Sequence, residues 1–89
     1  PPIAQKMHVS AYPNPASEHI TFEMGHVDNE RRLLSIYNPI GKLSRTIYTN
    51  SGSVTFHIAD LTAGLYFYQV QTTDHKRPVG VKQGKFIVQ

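Results

Sequence analysis

The chain reads as an all-β domain, a small antiparallel sandwich of about seven short strands, on three observations. Apolar and polar residues alternate with period two in several short segments, as in His19-Ile20-Thr21-Phe22-Glu23-Met24. Gly, Pro and Asn clusters interrupt those segments at roughly eight-to-twelve-residue intervals, which is the rhythm of strands joined by tight turns. No stretch repeats its apolar residues with the 3.6-residue period of an amphipathic helix.

Taken in order, residues 1–6 are a Pro-led linker remnant and the domain proper spans 7–89. A first strand runs from near Met7 to Ala11. Tyr12-Pro13-Asn14-Pro15-Ala16 follows, where two prolines each remove a donor, fix φ and hold the preceding residue extended, giving a stiff turn. The second strand carries Ile20, Phe22 and Met24 on one face and His19, Thr21 and Glu23 on the other. Polar residues 25–30 lead into Arg32–Tyr37, and Asn38-Pro39-Ile40-Gly41 turns the chain again. In Lys42–Thr49, Leu43, Arg45 and Ile47 oppose Ser44, Thr46 and Tyr48. Val54, Phe56 and Ile58 mark the apolar face of the next strand.

Leu61-Thr62-Ala63-Gly64 then opens the most aromatic run of the chain, Leu65-Tyr66-Phe67-Tyr68-Gln69-Val70. Apolar bodies on both faces make it a central strand. Thr72–Lys76 reads as a polar hairpin loop. Arg77–Lys82 is a strand interrupted by Pro78 and Gly80, Gly84 marks a further break, and Lys85–Gln89 closes the chain. Strand number and spacing point to an immunoglobulin-like sandwich.

Composition narrows the function. At 89 residues a single domain buries roughly 60–65% of its unfolded surface, which supports a thin core and no deep substrate cleft. The net charge is +3, from nine Lys and Arg against six acids, and the basic residues are scattered. That pattern does not suit nucleic acid, and no apolar run is long enough to span a bilayer as a helix. With no cysteine, disulfides and thiolate metal sites are both excluded.

The five histidines fall in separate segments, with none of the short spacings of zinc motifs. His19 and His57 lie on polar strand faces, and ligands converging from separate strands stay open. Serines and acids are scattered without a nucleophile elbow or a carboxylate pair, so no catalytic residue, cofactor or metal is assigned. The five tyrosines could form a sugar-stacking platform. A carbohydrate-binding or fibronectin-like accessory module of a secreted enzyme is therefore the second reading.

Four segments, in order, resemble the C-terminal sorting domain of type IX secretion, type A, a family of the Bacteroidota. They are Tyr12-Pro13-Asn14-Pro15-Ala16, Ile36-Tyr37-Asn38-Pro39-Ile40-Gly41-Lys42, Leu61-Thr62-Ala63-Gly64-Leu65-Tyr66, and Lys85-Phe86-Ile87-Val88. The resemblance extends from about residue 9 to the last. Asn38 departs from the family's usual Asp, and Asn can make the same turn hydrogen bonds. The resemblance implies a domain that ends a larger secreted protein and directs it from the periplasm across the outer membrane to the cell surface or beyond. It implies the type IX machinery and its sortase as partners, with removal of the domain by cleavage in the preceding linker.

Within that frame an edge at the terminal strand is expected to accept a partner strand or a second copy. Lys82 and Lys85 would supply charge there, and Phe86, Ile87 and Val88 apolar contact. Tyr12, Pro13, Asn14, Pro15, Gly41, Lys42, Leu61, Gly64 and Tyr66 are read as mainly structural.

Overall fold

A computed structural model describes residues 8–25, 31–74 and 77–89. It contains seven strands: β1 (Ser10–Tyr12), β2 (His19–Glu23), β3 (Arg31–Tyr37), β4 (Leu43–Thr49), β5 (Ser53–His57), β6 (Gly64–Asp74) and β7 (Arg77–Val88). They form two antiparallel sheets, one of three strands in the order β1-β2-β5 and one of four in the order β4-β3-β6-β7. The linker remnant, Met7 and the 26–30 segment lie outside the described residues, as do His75 and Lys76.

Period two decides the core. Ile20, Phe22 and Met24 on the smaller sheet face Leu34, Ile36, Tyr66, Tyr68, Val70, Phe86 and Val88 on the larger. Phe22 is the hub, meeting Phe56, Tyr68 and Phe86 edge-on at centroid distances of 6.1, 5.0 and 5.9 Å. Tyr66 stacks on Phe86 at 5.7 Å. Edge-to-face rings suit the aromatic quadrupole and add about 0.5–1.5 kcal/mol per pair beyond area burial. Truncating a hub of this kind costs roughly 3–5 kcal/mol.

Three expectations change at the end of the chain. Thr72–Asp74 belong to β6, not to a loop, and Thr72 is buried against the core despite its hydroxyl. Arg77–Val88 is one strand rather than two, and the interruption expected at Pro78 and Gly80 is a bulge within it: Thr72 pairs Gly80 and Thr73 pairs Pro78, so Val79 is the extra residue on this edge strand. Gly84 does not break β7. It pairs with Tyr68, whose ring lies over it, and a Cβ there would sit 2.3 Å from ring atoms. A strand glycine here marks a close approach.

β6 is central, with β3 and β7 on either side, but only one of its faces is covered. Tyr66, Tyr68 and Val70 point into the core, while Leu65 and Phe67 lie on the open face, each 40% exposed. In β4 the expected alternation fails at one point. The register shifts between Ile36 and Tyr37, so that Ile36 pairs Arg45 but Tyr37 pairs Leu43, with Ser44 as the extra residue.

Candidate recognition surface

The segments singled out in the sequence meet at one end of the sandwich, and they meet in pairs. The first holds the last. Ala16 bridges Val88 in parallel; its N–H donates to the Ile87 carbonyl at 2.8 Å, and the Gln89 N–H donates to the Ala16 carbonyl at 2.8 Å. The Asn14 Oδ1 accepts the Ile87 N–H at 3.0 Å. Both prolines of this segment follow cis peptide bonds, and the turn delivers Asn14 and Ala16 to the β7 edge. The terminal edge expected to be open is therefore occupied from Ile87 onward by the Ala16 backbone and the Asn14 side chain.

The second segment meets the third. The Asn38 Oδ1 accepts the N–H groups of Ile40 and Lys42 at 3.1 and 2.8 Å. The Asn38 N–H donates to the Lys42 carbonyl and the Gly41 N–H to the Asn38 carbonyl, each at 2.8 Å. Asn thus builds the turn expected of Asp, and Gly41 supplies a residue at φ +86°. Pro39 of this turn packs on Gly64, where a Cβ would meet the ring at 2.9 Å. Within the third segment the Tyr66 hydroxyl donates to the Thr62 carbonyl at 2.9 Å, which ties the loop after Leu61 to the buried ring. Tyr12, half exposed, donates its hydroxyl to the Glu23 Oε1 at 2.7 Å. That bond, then desolvation, then the Glu23 charge raise its pKa above 10.0.

The terminal residues divide between the two faces of the sheet. Phe86 and Val88 are buried in the core, so their side chains are not offered to a partner, contrary to the apolar contact expected of them. Lys82 pairs Val70 on the core-facing side and Lys85 pairs Phe67 on the open side; both lysines are exposed. Only Lys85 and Ile87 stand on the open face.

On that face the pairing assembles an apolar surface. Ile87 lies opposite Leu65, Phe67 lies opposite Tyr37, and Tyr37 lies opposite Leu43. Leu43 and Ile87 are 53% and 46% exposed, and Ile40 in the adjoining turn is 85% exposed. Lys85, opposite Phe67, stands on the same face, and Lys42 directly precedes Leu43; both lysines are exposed. Leu65, Phe67, Leu43 and Ile40 were not singled out from the sequence as contact residues. The alternation of Leu65 and Phe67 with Tyr66 and Tyr68 is visible in the sequence, where apolar bodies on both faces suggest burial on both sides.

The five tyrosines do not converge on a stacking platform. Tyr66 and Tyr68 are in the core. Tyr12 is on the smaller sheet, whereas Tyr37 and Tyr48 are on the larger one, Tyr37 between Phe67 and Leu43 and Tyr48 under the Arg31 guanidinium, 4.9 Å from its centroid. Among the described residues no three His, Asp or Glu side chains are grouped to hold a metal, and no helix is long and apolar enough to cross a membrane.

A family model described as a secretion system C-terminal sorting domain matches residues 10–89. The chain belongs to this family. As a member it is a sorting signal of type IX secretion, and it implies passage through the outer membrane to the cell surface or the outside. The fold is also that of a part of latent dimeric PorU from Porphyromonas gingivalis, with a TM-score of 0.75 at 19% identity. The match covers 90% of this chain and 9% of that one, so this sorting domain spans about a tenth of the PorU chain. Among curated proteins none matches.

Proposed function

We propose that this sorting domain is read as a folded surface, and that the surface is the open face of the four-stranded sheet beside the C-terminal end of β7. A protein of the type IX machinery docks on Leu65, Phe67, Leu43 and Ile87, with Lys85 and Lys42 orienting it by charge. The observation that carries this reading is the exposed apolar group itself. Contiguous large apolar side chains held open on a rigid sheet are a mark of an interaction site. Here they lie where all four family segments meet, and those segments spend their own hydrogen bonds on holding β7 and the 38–42 turn in place.

In this reading the domain performs no chemistry. It ends a larger precursor that crosses the periplasm, and a sortase separates it from its cargo in the linker before residue 7. Pairing with a second copy through strand edges would use β1, β4, β5 or the part of β7 before Ile87, since Asn14 and Ala16 occupy β7 from Ile87 onward.

The experiment uses a fluorescent cargo carrying this chain, expressed in a type IX-competent bacterium. Phe67→Glu and Leu65→Glu, on the solvent side of β6, are expected to leave the purified domain folded and to trap the cargo inside the cell. Lys85→Glu is expected to slow export without unfolding. Cargo that reaches the surface at parental levels with both β6 variants would overturn the assignment of this face. Deleting residues 85–89 cannot serve as this test, because it removes Phe86 and Val88 from the core as well.

A further inference from the structure

The solvent face of the smaller sheet carries a pair of histidines that sequence spacing does not reveal. His19 opens β2 and His57 closes β5, and the two are direct cross-strand partners. The phase of the ladder sets how close they stand. The Ile58 N–H donates to the Glu18 carbonyl at 2.9 Å and the Met24 N–H to the Gly52 carbonyl at 2.7 Å. Hydrogen-bonded rungs therefore fall at Glu18, Ile20, Phe22 and Met24, by the alternation of an antiparallel ladder. His19, Thr21 and Glu23 occupy the rungs between, where Cα atoms are only about 4.5 Å apart and side chains stand closest. The neighbouring rung of the same kind shows the result, with Thr21 and Thr55 hydroxyls in contact at 2.8 Å.

We infer that His19 and His57 form a two-point chelating site for a borderline transition-metal ion. Both imidazoles are exposed, project from the same face, and are held by a strand pair whose other side is core. The backbone that carries them is already ordered, so chelation has only side-chain rotamer freedom to remove. Imidazole suits Cu²⁺, Ni²⁺ and Zn²⁺. Two protein ligands leave the remaining positions to water, so the site is open rather than a closed four-ligand zinc site. The expected order of affinity is Cu²⁺ above Ni²⁺ and Zn²⁺. Because β5 is an edge strand of its sheet, a bound ion ties that edge to β2. This inference is independent of how the opposite sheet is recognised.

The test is a titration of the metal-free domain with Cu²⁺, and separately with Ni²⁺, by calorimetry. One ion per chain is expected. His19→Asn and His57→Asn should each weaken binding about 10-fold or more, the scale on which disturbing a ligand's surroundings alone already weakens a site. His8→Asn, His26→Asn and His75→Asn should leave it unchanged. Saturating Ni²⁺ should raise the Tm of the parent and not of His57→Asn. In amide NMR spectra, substoichiometric Cu²⁺ should broaden the signals around residues 19 and 57 first. Unchanged affinity in both single variants, loss of binding in His26→Asn or His75→Asn, or broadening centred elsewhere would overturn the site.

Discussion

At the scale of single residues, the domain depends on close approaches that leave no room for substitution. Gly84 under the Tyr68 ring is the tightest of them. Gly84→Ala is expected to cost about 1–3 kcal/mol by overpacking, read as a lower denaturation midpoint with an unchanged slope. Tyr68 itself is held neutral, since burial raises its pKa above 10.0. A phenol whose folded pKa exceeds its unfolded one contributes stability that is complete below pH 10.0 and lost as pH rises through the folded value. The urea midpoint should therefore fall as the pH rises into the alkaline range. Tyr68→Phe should blunt that alkaline loss more than Tyr12→Phe does, because the Tyr12 ring is half exposed and solvent screens it.

At the scale of elements, the turns act on strands distant in sequence. Asn14 lies 73 residues before the Ile87 amide it accepts, and losing such a bond costs about 0.5–1.5 kcal/mol. Asn14→Ala should lower stability by that order and speed hydrogen exchange at Ile87 and Gln89 while sparing β3. Asn38→Asp should be close to neutral, because its two accepted N–H bonds need only an oxygen. Asn38→Ala should cost more, and a purified-domain melt distinguishes the two. Strand count, the inward sets of β2 and β5 and the turns at 12–16 and 38–41 were all legible, because period two and Pro/Gly/Asn chemistry are local. Long-range facts were not. Nothing near Gly84 announces Tyr68, and nothing near His19 announces His57, since register is fixed by pairing across a sheet. The aromatic run misled for a physical reason: Leu65 and Phe67 look like core, and they stay in water because no third layer covers them among the described residues.

At the scale of the whole molecule, the two sheets have different outer faces. The smaller one is polar, with Thr21, Thr55, Glu23 and the histidine pair, while the larger one is apolar at the end where β7 finishes. Core and proposed contact surface are interleaved along β7, residue by residue: Phe86 and Val88 inward, Lys85 and Ile87 outward. Phe86→Ala should therefore lose fold and export together, at a cost of roughly 3–5 kcal/mol, whereas Ile87→Glu should lose export with the melting temperature nearly kept. Circular dichroism alongside a surface-display assay separates the two.

The interleaving of β7 has a consequence in time. Every strand that β7 packs against is synthesised before it, so the hydrophobic interior stays incomplete until the final dozen residues are available. A chain cut short before β7 would lack the lid of its own core and the proposed docking face in one stroke. The domain would then report the integrity of the chain as well as its destination, and damaged cargo would carry no valid passport.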